Sequence, residues 1–233
     1  MKILAIDTSS SPTFVSLFNS NKILAEFSVN TELKHGSTLM PMIDSIFKCS
    51  SQKLREVDLF AVSIGPGSFT GLRVGISTIK GMAMVFSTPC VGISSLQILA
   101  ESVGKTMKGV VICIVDAKCG RFWVAVFKNC TENFLRETKD LILDMSKLLE
   151  LVIKYEKNNK VFLTGDAASL CYCELKKKIK LVSKVFLVSE DFSFNKASAV
   201  FKIAKSLFLN EKAVSAESLC PLYVCAPKAE KVK

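Results

Sequence analysis

Between Ser63 and Gly75 the chain reads SIGPGSFTGLRVG, with Gly65, Gly67, Gly71, Gly75 and Pro66 set between an apolar strand-like run and a helix-like one. A glycine-dense turn at such a junction is the usual cradle for a phosphate, because backbone N–H groups converge there. The spacing fits neither phosphate signature: Gly67 and Gly71 are separated by three residues where G-x-G-x-x-G has two, and no Walker G-K-[ST] follows. Other chemistries are also scarce. His35 is the only histidine, which argues against a His-rich metal site and against any His-Asp-Ser relay that lacks it. The nine cysteines are odd in number and contain no C-x-x-C, so neither a disulfide framework nor a zinc knuckle is signalled.

The glycine segment has a different regularity. Gly67, Gly71 and Gly75 recur every four residues, and Thr78 and Met82 continue the line along a helix predicted from Ser68 to Phe86. Ser68 suits the N-cap, and Leu72, Ile76, Ile79 and Ala83 form the core-facing side. Two interior glycines cost about 1 kcal/mol each relative to alanine. Close approach of another backbone offsets that cost, supplied either by a partner helix or by the protein's own sheet; spacing alone leaves both open.

The elements around this helix repeat. ILAIDTSSSPTFVSLF (residues 3–18) and VICIVDAKCGRFWVAVF (residues 111–127) both read strand, acid, turn, strand, and setting Asp7 on Asp116 brings Phe18 onto Phe127 without a gap. In the first half follow a strand at 23–29, a helix at 36–49, a strand at 59–64, the glycine helix and a strand at 90–93. The second half offers helices near 146–157, 168–180 and 197–209 around strands at 161–165 and 185–189. The expectation is an α/β chain of two mixed sheets flanked by helices, divided into 1–104 and 105–233, the last helix packing back on the first part.

The 233 residues suffice for a sizeable core, and 49% hydrophobic content fits a globular chain. No apolar stretch approaches a membrane span, and Asp7 interrupts the opening run where a signal peptide would continue, so a cytoplasmic protein without membrane association is expected. The net charge of +10 is uneven: residues 1–100 hold eight Lys/Arg against six Asp/Glu, and residues 101–233 hold 23 against 15. The densest run is Lys176, Lys177, Lys178 and Lys180. A lysine-rich surface serves solubility and also steers polyanions.

A duplicated βββαβαβα chain with an acid in its first hairpin resembles the actin-like (ASKHA, ribonuclease H-like) ATPase and sugar-kinase fold. There the two hairpin turns hold nucleotide phosphates and the carboxylates hold hydrated Mg²⁺. The resemblance assigns Asp7, Thr8, Ser9, Ser10 and Asp116 to a vestigial nucleotide cleft. The second turn offers Lys118, Cys119 and Arg121 in place of glycines and hydroxyls, so weak ATP or ADP binding at most is implied, with no required cofactor or metal.

The order ILAIDTSSSP, HGSTLMPMID, GPGSFTGLRVGISTIKGMA, VGISSLQ, VDAKCGRFWVAVF and PLYVCAPKAE is similar to the TsaB (YeaZ-type) family over nearly the whole chain. That resemblance implies a non-catalytic partner of the TsaD-type transferase, joined by a TsaE-type ATPase, in N6-threonylcarbamoyladenosine synthesis on tRNAs reading ANN codons. The tRNA is met indirectly through the complex, and the chain forms a homodimer in isolation. The implied contact helices carry Leu39, Met40, Met42, Ile43 and Ile46 on the first, and Gly67, Ser68, Gly71, Arg73, Gly75, Thr78 and Met82 on or beside the second. His35-Gly36-Ser37 replaces the family's usual His-Ser, and Cys225 stands where an arginine is usual. Two other classes compete: an actin-like ATPase or small-molecule kinase, which needs Asp7 or Asp116 as base, and a glycopeptidase-like metalloenzyme, which the single histidine disfavours.

Overall fold

The computed structural model describes residues 1–20, 22–30, 35–104, 107–129, 134–178, 183–188 and 197–222. The first half builds β1 (Lys2–Asp7), β2 (Pro12–Asn19), β3 (Lys22–Asn30), α1 (His35–Ser50), β4 (Leu59–Gly65), α2 (Phe69–Phe86), β5 (Cys90–Ser94) and α3 (Ser95–Ser102). The second builds β6 (Gly109–Asp116), β7 (Arg121–Asn129), β8 (Phe134–Arg136), β9 (Leu141–Asp144), α4 (Met145–Glu156), β10 (Val161–Thr164), α5 (Ala168–Lys178), β11 (Val185–Leu187) and α6 (Ala197–Leu209). The helix α3 and the short strands β8 and β9 have no counterpart among the sequence expectations; elements this short show too little periodicity to read.

The strand orders β3-β2-β1-β4-β5 and β8-β7-β6-β10-β11 correspond one to one, with β9 also pairing β7. In each sheet the opening hairpin is antiparallel and the later pairs, β1–β4–β5 and β6–β10–β11, are parallel. This is the duplicated actin-like architecture of two mixed sheets flanked by helices.

The gapless register of the repeat is one residue out. Strand faces alternate, so packing fixes the true correspondence. Leu4, Ile6, Val15 and Leu17 share the core under α1 and α2, while Ile112, Ile114, Val124 and Val126 share the equivalent core under α4 and α5. Phe18 pairs with Ile3 and Phe127 with Val111, so the two phenylalanines do correspond. Asp7 pairs with Phe14, however, and its structural counterpart is Val115, paired with Trp123. The second hairpin closes with one residue more, and Asp116 falls level with Thr8.

Two helices lie across the midline. From the first half, α3 places Leu96, Leu99 and Ala100 against Val111, Cys113, Ala125 and Phe127 of the second sheet. From the second half, α6 covers Ile3, Ala5, Phe18, Leu59 and Val91 of the first sheet, with Phe201 stacked on Phe18 at 4.5 Å between ring centroids. Beyond α6 the chain stays on the first half: Val214 and Cys90 exchange backbone hydrogen bonds, and the Leu222 N–H donates to the Ile64 carbonyl. The first sheet is built wholly from residues before α3 and the second from residues after it, while α3 and α6 each pack on the other half's sheet. Among the described residues no helix is long and apolar enough to cross a membrane.

Candidate functional site

The first hairpin turn is closed by the start of α2. Ser68 caps this helix, its hydroxyl accepting from the Gly71 N–H at 3.2 Å. Its own N–H donates to the Ser9 carbonyl at 2.7 Å, and the Thr8 hydroxyl donates to the Gly71 carbonyl at 2.7 Å. So tight a seat needs glycine: a Cβ on Gly67 would strike the Ser9 carbonyl, one on Gly71 the Thr8 carbonyl, and one on Gly75 the Thr8 hydroxyl. The close approach inferred from the four-residue spacing is real, and the approaching backbone is the protein's own.

Asp7, Thr8 and Ser9 are buried as a result, and Ser10 is half-buried. The Asp7 carboxylate accepts from the Ser9 N–H at 2.8 Å. Burial pushes its pKa above the ordinary carboxylate value, against the opposing pull of hydrogen bonds from Ser9 and Ser63. His35, at the start of α1, is also buried; its Nδ1 lies 2.7 Å from the Thr13 hydroxyl, and desolvation lowers its pKa.

The second turn lies open. Lys118, Cys119 and Gly120 take the left-handed conformation in succession, and all three are exposed. Asp116 is half-exposed and pairs with Lys118 at 2.8 Å, which lowers its pKa. The Asp116 N–H donates to Asp166, whose own pKa is raised by burial. Asp7 and Asp116 thus differ in face, burial and partners. Among the described residues no group of three or more His, Cys, Asp and Glu side chains is placed to hold a metal ion.

The residues expected at a partner face divide in two. Leu39, Met42, Ile43, Ile46 and Met82 belong to the core beneath α1 and α2, and Gly71 and Gly75 face Thr8. A direct contact from these positions is corrected by that packing, since the apolar stripe seats each helix on its own sheet. Gly67 and Ser68 are spent on the turn and the cap. Met40 and Arg73 are exposed and Thr78 is half-buried. The outer surface of α2 adds Phe69, Gly81, Met84, Val85 and Phe86, with Val85 74% exposed. Arg73 lies 3.8 Å over the Phe69 ring, and a shallow groove runs past Phe69, Arg73, Val74, Ser77, Lys80 and Pro221. The readable signal for this surface was the helical phase opposite Leu72, Ile76 and Ile79. The C-terminal stretch containing Cys225 lies outside the described residues.

Two interlocked actin-like lobes, the first turn occupied by its own helix and a semi-apolar helix face turned outward, define the class. The family model described as "TsaD: tRNA N6-adenosine threonylcarbamoyltransferase" matches residues 22–228, so the chain belongs to that family, on the side of its TsaB (YeaZ-type) members. The chain is 29% identical over 223 residues to "tRNA threonylcarbamoyladenosine biosynthesis protein TsaB" of Buchnera aphidicola subsp. Baizongia pistaciae, covering 90% of this chain and 98% of the relative. The protein of that name from Buchnera aphidicola subsp. Schizaphis graminum is 31% identical over 166 residues, covering 70% and 78%. The solved structure "YeaZ from Pseudomonas aeruginosa" matches with a TM-score of 0.80 at 20% identity, covering 96% of this chain and 99% of that one, and shares the fold.

Proposed function

We propose that this protein is a non-catalytic accessory subunit in tRNA threonylcarbamoyladenosine biosynthesis, docking onto a TsaD-type transferase through the outer face of α1 and α2, with a TsaE-type ATPase joining the pair. The names of its full-length relatives support the pathway. The observation that carries the accessory role is the closed first turn: the Thr8 hydroxyl and the Ser9 N–H, donors that a phosphate-gripping turn keeps available, are spent on the Gly71 carbonyl at the start of α2 and on the Asp7 carboxylate. The same helix turns Phe69, Met84 and Val85 outward beside Gly81, which has open space around its Cα. Exposed apolar side chains on one face, with Met40 nearby on α1, suit a helix-to-helix contact, and without the transferase a second copy takes that place.

Gly81→Leu tests the reading. Leucine favours the helix over glycine, and a Cβ at this exposed position meets no atom of its own fold, so the monomer should melt no lower than the parent. Affinity for the transferase, measured by calorimetry, should fall at least about tenfold, about 1.4 kcal/mol. Unchanged affinity would place the contact elsewhere. The isolated chain should not hydrolyse ATP; turnover near 1 s⁻¹, in the ordinary enzyme range, that Asp7→Asn abolishes would favour the kinase reading.

A further inference from the structure

One end of the second lobe gathers lysines from separate elements. The helix α4 ends there with Lys154 and is followed by Lys157, and α5 ends there with Lys176 to Lys178. The parallel strands β10 and β11 begin at the same end, preceded by Lys160 and Lys184. The sheet hydrogen bonds fix these last two side by side: the Lys184 carbonyl accepts from Val161 N–H, and the Lys160 carbonyl from Val110 N–H. They are one strand spacing apart, about 4.8 Å. All seven side chains are exposed, and among the described residues only Lys177 is in an ion pair, with Glu174. The opposite end of the lobe, with Asp116, Lys118, Arg121, Asp144 and Asp166, is nearly balanced in charge.

Lysines in the last turn of a helix complement its dipole, which accounts for Lys154 and Lys176 to Lys178 individually. It does not account for Lys160 and Lys184 at strand starts, nor for the convergence of both kinds on one rim. We propose that this rim is a binding surface for the phosphodiester backbone of RNA, and that the RNA is the tRNA substrate of the assembled complex, the latter resting on the function proposed above. Flexible ammonium groups on several elements, without an arginine fork among them, suit backbone neutralisation rather than base reading. Tyr172, beneath Lys176 at 4.5 Å, adds an aromatic face at the patch margin.

The test uses the full chain and a labelled, unmodified tRNA transcript, titrated by fluorescence anisotropy between about 50 and about 200 mM salt. A combined Lys157→Ala, Lys160→Ala, Lys178→Ala and Lys184→Ala variant should bind at least about tenfold more weakly at the lower salt. Its plot of log affinity against log salt should be flatter by about 2 to 3, as several phosphate contacts are lost. Removing the same charge elsewhere, with Lys22→Ala, Lys53→Ala, Arg55→Ala and Lys212→Ala, should change either quantity little. Equal losses in the two sets would mean net charge alone, and an unaffected rim variant would remove the surface; either result overturns the proposal. So would loss of binding to anionic vesicles with RNA binding intact. Co-purification with the TsaD-type partner is measured on the same variants and should be unchanged. Partner binding without rim-dependent RNA binding sinks this proposal alone, whereas rim-dependent RNA binding without partner binding sinks the accessory-subunit reading.

Discussion

The first and second lobes share a topology and treat the hairpin turn in opposite ways. In the first, α2 brings Gly71 and Gly75 to its buried side, and the helix rests directly on Thr8. In the second, the buried side of α5 is Ala168, Cys171 and Leu175, side chains that fill the space above the sheet, and the turn projects free with its acid paired to its own lysine. The difference lies in what each turn is left to touch. One turn is taken over by an internal contact, and the other gains a residue and presents Lys118 and Cys119.

The strongest way to break the comparison is Gly75→Leu. A side chain there must displace the Thr8 hydroxyl and press on Val62, so the isolated chain should lose about 3 kcal/mol or more of stability, read as a lower thermal midpoint. A variant as stable as the parent would show that α2 does not sit on the turn. Next in size is Thr8→Val, which keeps the shape and leaves the Gly71 carbonyl without its buried donor. It should cost about 1 to 3 kcal/mol in denaturant unfolding.

The smallest effects sharpen the contrast through pH. The pKa of Asp7 is raised in the folded state, so the folded chain holds that proton more tightly and loses stability as pH rises from the unfolded value of 3.8 through the folded one. Asp7→Asn should therefore gain on the parent between acid and neutral pH. Asp116 has the opposite sign: its lowered pKa contributes stability above 3.8 that disappears as pH falls through the folded value. Asp116→Asn should lose about 0.5 kcal/mol at neutral pH, as an exposed pair does, and nothing in strong acid. Thermal melts across pH that gave both variants the same sign would erase the distinction between the turns.

The hairpins, the helices on their faces and the duplication were legible because apolar runs and helical periods are local. The one-residue slip was not: Asp7 and Asp116 each follow an apolar run, and only the packing of Leu4 and Ile6 against Ile112 and Ile114 shows which face each acid takes. The glycine spacing announced a close approach without naming what approaches. Thr8 lies 63 residues from Gly71, a separation that no local pattern encodes. For the same reason the stripe of Leu39, Met42, Ile43 and Ile46 reads equally as core or as interface until the sheet beneath it is located.

The covering of the first sheet by α6 has a consequence for synthesis on the ribosome. Ile3, Ala5, Phe18 and Leu59 are made before the helix that shields them, Ala197–Leu209, and the whole second sheet is made in between. Vectorial folding, in which an N-terminal unit completes itself before the rest arrives, is closed to this chain. The first lobe is completed only after the second sheet has been made, and a nascent chain stalled before residue 197 would carry an unshielded apolar face for chaperones to guard.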